Sequence, residues 1–243
     1  VCSSDLATYA TYYRLFLTEV LPPDVNRVIY LDGDIVVMDS LSELWNLDMQ
    51  GKAIAAVPDS YNNRPDPYNR LHYPQSMGYF NAGVLVLNIE YWRENNVVRD
   101  FCECASAKSD NLACHDQDIL NYVFRESKLT LPLKYNMLNE YWFDTSDSVV
   151  SWEFDNQMRD GQQHPVVVHF TGIPKPWFSN CHHPMKSEYE HYRAMTMWKE
   201  CKEPRWGGVA YIVEQLGKRL LVMSGLRGAE IIDINKYVKD RRL

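Results

Sequence analysis

The segment LDGD, residues 31–34, sets two carboxylates one residue apart at the end of an apolar run. In an extended chain residues i and i+2 point the same way, so Asp32 and Asp34 share one side of the backbone. Two hard oxygen ligands on one side suit Mg²⁺ or Mn²⁺. Taken alone, the pair also suits a turn in which one Asp caps a backbone amide. Gly33 between them lets the chain pass close to a ligand. The flanking stretches 28–31 and 35–38 are core-like, so the acids need compensation, because an unpaired ion out of water costs several kcal/mol.

A second segment, HFTGIPKPW at 169–177, ends another buried run. His169 offers an imidazole that either completes a metal shell or sits as a satisfied core residue. Gly172 frees the backbone, and Lys175 is held between Pro174 and Pro176. A lysine on such a loop is placed to neutralise phosphate, the simpler alternative being a solvated surface charge. FNAG at 80–83 puts Asn81, Ala82 and Gly83 before a buried strand, where small residues admit a ligand or serve a turn. HDQD at 115–118 places Asp116, Gln117 and Asp118 at a helix start, where acids also favour the helix dipole.

Those residues need a scaffold of alternating strands and helices. Residues 7–18 and onward have helical spacing, and Pro22-Pro23 ends it. RVIYLD (27–32), AIAAV (53–57), GVLVLNI (83–89), LTLPLKY (129–135) and VVVHF (166–170) read as strands. Short helical turns or helices are expected at 41–47, from 90 to about 107, from 116, and across 183–201. Residues 60–78, rich in Tyr, Asn, Pro and Arg, read as a long surface loop. The alternation predicts an α/β layered domain with ligands beyond the carboxyl ends of its strands.

A net charge of −7 argues against nucleic-acid partners. From Arg205 onward eight basic residues face four acids, which makes that end +4 and the remainder −11. Val209, Ile212, Val213, Leu216, Leu220 and Met223 form a helical stripe, which packs on the domain or makes a peripheral contact with anionic lipid. No stretch is long and apolar enough to span a bilayer. The six cysteines lack zinc-site spacing and read as reduced cytosolic thiols. A Cys102/Cys104/Cys114/His115 metal cluster is the weaker alternative. Residues 1–6 (VCSSDL) resemble translated adapter sequence. The expected organisation is 1–6 non-native, 7–205 the α/β domain and 206–243 a basic amphipathic tail.

In order, YRL at 13–15, LDGD, FNAG, DQD at 116–118 and HFTGIPKPW resemble glycosyltransferase family 8. The likeness is greatest to bacterial lipopolysaccharide galactosyl- and glucosyltransferases, over roughly residues 7–198. The resemblance implies a GT-A fold, a Rossmann-like mixed sheet flanked by helices. It also implies a UDP-sugar donor, a saccharide or glycolipid acceptor and a cytoplasmic location. By the same analogy Asp32, Asp34 and His169 would ligate Mn²⁺ or Mg²⁺. Gly172 and Lys175 would touch the diphosphate and Arg14 the donor. Asp59, Asn81, Ala82, Gly83 and Asp116 would hold the donor sugar, with Gln117 near the anomeric carbon. The family's first strands precede the YRL helix, so their absence predicts an unpaired sheet edge. Rival readings are a sugar-nucleotide pyrophosphorylase or other nucleotidyltransferase, and an inactive carbohydrate-binding remnant.

Overall fold

A computed structural model describes residues 9–143 and 152–208. The proposed adapter residues and the basic amphipathic stripe lie outside them. Strands β1 (Arg27–Leu31), β2 (Ile35–Val37), β3 (Ile54–Pro58), β4 (Phe80–Asn88), β5 (Lys128–Thr130) and β6 (Val167–His169) form two sheets. A four-stranded sheet has the order β1-β4-β3-β5, and β2 pairs with β6. The β1–β4, β3–β4 and β2–β6 pairs are antiparallel, and β3–β5 is parallel, so the larger sheet is mixed. The helices are α1 (Leu17–Val20), α2 (Ser42–Trp45), α3 (Asp66–Leu71), α4 (Ile89–Glu94), α5 (Val97–Ala107), α6 (His115–Val123), α7 (Trp152–Gln163) and α8 (Lys186–Ala194). Among the described residues no helix is long and apolar enough to cross a membrane.

The sheet is covered on both faces. Ile54, Ala56, Leu85 and Leu87 pack against Trp92, Phe101, Ile119, Leu120 and Phe124. Ala55, Val57, Val84 and Val86 face the opposite way, toward Leu44, Leu133, Tyr135, Met137 and Tyr141. Burial on both sides explains why β3 and β4 read as continuous apolar runs rather than alternating ones. Trp92, Phe101 and Phe124 form a mutual triad with centroids 5.3–5.4 Å apart. Each such pair adds about 0.5–1.5 kcal/mol beyond area burial. β1 lies at one edge of the sheet and β5 at the other.

Several expected boundaries are corrected. Residues 60–78 are not an irregular surface loop: α3 lies within them, and Tyr68, Leu71, Tyr73 and Tyr79 form a small core of their own. Their tyrosines and prolines resemble loop composition because this core is amphipathic rather than aliphatic. The 129–135 run stops as a strand at Thr130, and Leu133–Tyr135 form a 3₁₀ turn. Pro132 has no N–H to continue a ladder. The segment after β4 is two helices, separated at Asn95-Asn96, where Asn96 adopts φ 47°. The first helix is 3₁₀ through Phe16 and α-helical only from Leu17. The last expected helix is confined to Lys186–Ala194.

The aromatic core of α3 is tied to α6 by a buried charge. Asp118 is fully buried and pairs with Arg70, while Tyr79 Oη donates to it at 2.7 Å and the Cys114 amide at 2.7 Å. Asp118 is therefore a structural counter-ion rather than a helix-dipole residue. Replacing Arg70 by Leu strands that carboxylate, and such losses cost about 3–5 kcal/mol. We expect urea denaturation of Arg70→Leu to show a destabilisation of that order. An unchanged midpoint would mean that Tyr79 and the Cys114 amide suffice.

Candidate active site

The site forms where one sheet hands the chain to the other. Leu31 pairs with Val84 at the end of β1, and the Asp32 amide continues the ladder to Gly83 O at 2.9 Å. Asp32-Gly33-Asp34 then turns into β2, where Ile35 faces His169 across the β2–β6 ladder. The Phe170 amide donates to Asp34 O at 2.9 Å. Sheet register thus brings His169 beside the acids, although it lies 135 positions from Asp34.

FNAG is not a turn ahead of the strand but part of β4. Ala56 pairs with Leu85 while Pro58 pairs with Phe80, so two steps along β3 match five along β4. The extra residues bulge toward the cleft, a common device for re-aiming side chains. Gly83 is required at this point. A Cβ there would lie 2.6 Å from His169 Nδ1 and closer still to Cε1, so the imidazole rests on bare backbone.

Each acid is held by one oxygen and presents the other. Arg14 Nη2 donates to Asp32 Oδ1 at 2.9 Å, and Tyr30 Oη donates to the same oxygen at 2.9 Å. Lys175 Nζ donates to Asp34 Oδ2 at 2.6 Å. The remaining oxygens face His169 Nε2, with Asp34 Oδ1 at 3.2 Å and Asp32 Oδ2 at 3.9 Å. One ligand atom from each of the three residues falls within 4.8 Å of the other two. Two carboxylate oxygens and an imidazole nitrogen are a donor set for a divalent ion such as Mn²⁺ or Mg²⁺. The thiol cluster considered from sequence does not converge in this way among the described residues. None of their cysteines is in a disulfide. Burial alone would raise the Asp34 carboxyl, but His169 and Lys175 outweigh it and hold the group well below the usual carboxylate range.

Asp32, Asp34, Asp59, Asn81, Gln117, His169 and Lys175 line one cleft of about 270 Å³. Glu140, Thr171 and Tyr61 line it as well; Thr171 belongs to the HFTGIPKPW motif, while Glu140 and Tyr61 carry no sequence signal of their own. Arg14, Ala82, Gly83, Asp116 and Gly172 stand behind the wall. Arg14 Nη1 donates to Ala82 O at 2.6 Å, its Nε lies 3.0 Å from Asp116 Oδ2, and it stacks on Tyr30 with the guanidinium carbon 4.1 Å from the ring centroid. The Asp116 contact is too misaligned to be a hydrogen bond, so it is chiefly coulombic. Gly172 is needed because a Cβ there would meet the Asn139 side chain, 2.7 Å from Cγ. Gln117 accepts from the Ala82 amide at 2.9 Å and donates to Asp59 Oδ2 at 3.2 Å and Tyr79 Oη at 3.1 Å. Its amide is thereby fixed at the cleft edge.

A family model, glycosyl transferase family 8, matches residues 1–181. The chain belongs to glycosyl transferase family 8. General stress protein A of Bacillus subtilis (strain 168) is 30% identical, covering 83% of this chain and 70% of its own length. The lipopolysaccharide 1,2-glucosyltransferase of Escherichia coli (strain K12) is 27% identical over 79% of this chain and 56% of its own length. Among solved structures, the galactosyltransferase LgtC with donor and acceptor sugar analogs superposes with a TM-score of 0.68. It is 27% identical and covers 79% of this chain and 68% of the LgtC chain. The fold of this glycosyltransferase chain is accordingly GT-A.

Two outcomes test the geometry. Gly83→Ala forces the imidazole off its seat, and overpacking of this kind costs about 1–3 kcal/mol. A urea midpoint equal to the parent's would show that His169 has room to move. Burial raises the Asp116 carboxyl to about 7 against the attraction of Arg14, with Asp32 adding to the rise. A carboxyl raised by folding stabilises the protein while protonated. Its contribution is full below the unfolded value of about 4 and is lost as pH climbs to the folded one. In chelator, Asp116→Asn therefore gains stability relative to the parent between pH 4 and pH 7. A difference that does not change with pH would contradict the raised carboxyl.

Proposed function

We propose that the cleft binds a UDP-hexose, glucose or galactose, together with Mn²⁺ or Mg²⁺, and transfers the hexose to a saccharide acceptor with retention of configuration. Lipopolysaccharide or another surface glycan is the acceptor class, and a cytoplasmic location accompanies that donor. The observation that carries the reading is the convergence of Asp32 Oδ2, Asp34 Oδ1 and His169 Nε2 beside Lys175. Family membership supplies the reaction class.

A bound divalent ion supplies Lewis-acid stabilisation of the departing diphosphate. Lys175 adds positive charge at the same wall. Its three donors are engaged by Asp34 Oδ2, Phe170 O at 2.5 Å and Thr171 O at 3.1 Å, so it acts as a fixed charge in this arrangement. Asp59, buried and with its carboxyl raised by burial, aligns Asn81 and Gln117 along the donor-sugar side. The bond from the anomeric carbon to UDP breaks as the acceptor oxygen bonds on the same face, and the acceptor proton leaves with the diphosphate. Gln117 is an amide already bonded through both its ends, which suits it to stabilise an oxocarbenium-like state rather than to form a covalent adduct.

The test is UDP release by the full-length polypeptide offered each UDP-hexose with Mn²⁺. Chelation is expected to abolish release and added Mn²⁺ to restore it. Lys175→Ala should lower kcat by about 100- to 1,000-fold, the order of effect of removing one group that stabilises developing charge. Release that is indifferent to chelator would end the metal reading. No release from any UDP-hexose would end the transferase reading.

A further inference from the structure

Behind the three candidate ligands runs a buried chain of amides that begins at a donor of fixed polarity. The Gly83 backbone N–H can only donate, and it does so to Asn81 Oδ1 at 2.9 Å. That orients the Asn81 amide and sends its Nδ2 to Asp59 Oδ2 at 3.0 Å. Asn81 Oδ1 takes a second bond at 2.9 Å from Asn136, which must therefore present its Nδ2. Asn136 Oδ1 is then left facing His169 Nδ1 at 2.9 Å. An acceptor in that position requires a proton on Nδ1, so in the neutral ring the lone pair is on Nε2, the side where Asp32 and Asp34 lie.

We infer that Asn136 is a positioning residue that fixes the His169 tautomer, so that Nε2 rather than Nδ1 is the nitrogen offered to a divalent cation. Asn136 is completely buried and does not itself line the cleft, reaching it only through Asn81 and His169. Its backbone is held as well: the Met137 amide donates to Val167 O at 2.9 Å and the His169 amide to Met137 O at 3.0 Å. The strand and the amide thus fix the ring in both position and rotation. Partners of this kind behind a metal-binding histidine are worth about 10- to 100-fold in metal affinity. The inference rests on the proposed cation site for its consequence, but the tautomer itself is a property of the metal-free chain.

Two measurements test it. Long-range ¹H–¹⁵N correlation of His169 in the metal-free parent protein should show a protonated Nδ1. A bare Nδ1 with the proton on Nε2 alone would overturn the inference without any variant. Mn²⁺ binding followed by electron paramagnetic resonance should weaken about 10- to 100-fold in Asn136→Leu, which lacks the acceptor. Asn136→Asp keeps an acceptor for Nδ1 and should bind within a few-fold of the parent. Parent-like affinity in Asn136→Leu, or equal loss in both folded variants, would reduce Asn136 to a packing residue. Should the parent itself fail to bind Mn²⁺, the cation site falls while the Nδ1 measurement still decides the tautomer.

Discussion

The structure depends on how two carboxylates are made tolerable at the junction of two sheets. Each has one oxygen committed to a cation from elsewhere in the chain, Arg14 for Asp32 and Lys175 for Asp34. Each keeps its other oxygen turned toward His169 Nε2. Partial neutralisation keeps the site folded without exhausting its appetite for positive charge. Had both oxygens been paired, the acids would be inert counter-ions. Had neither been, the cost of desolvation would have opened the turn.

That division of labour explains why so many motif residues do not line the cleft. Arg14 spends its guanidinium on Asp32, Asp116 and the Ala82 carbonyl, so its role in this arrangement is to hold the floor. Gly83 and Gly172 are small because His169 and Asn139, respectively, press against them. Asp116 lies against the same guanidinium that holds Asp32. Motif residues of a site can thus be structural at one remove, each serving the geometry of a neighbour that does face the cleft.

The same polar logic extends through the interior. Asp59, Asn81, Asn136 and His169 are all largely buried and all bonded to one another in series. A buried network of this kind costs stability unless every member is satisfied, and here the Gly83 amide and the Asp59 carboxylate anchor it from two sides. The β4 bulge makes the arrangement possible, because it takes Asn81 and Gly83 out of register with β3 and leaves them beside the histidine.

The sequence alone was enough for the fold class and for the residues that converge. Apolar runs marked the buried strands, and residue types such as Asp-x-Asp and a strand-terminal His carry their chemistry in any context. Strand ends and helix extents were less legible. Pro132, the break at Asn95-Asn96 and the tyrosine core of α3 depend on contacts that periodicity does not report. Asn136 was invisible for a stronger reason. An asparagine in the run LKYNML is an ordinary polar residue until register places it behind an imidazole 33 positions away. Local pattern determines which side chains can do chemistry. Only the tertiary structure decides which oxygen, and which ring nitrogen, is left free to do it, because that choice is made by partners distant in the chain.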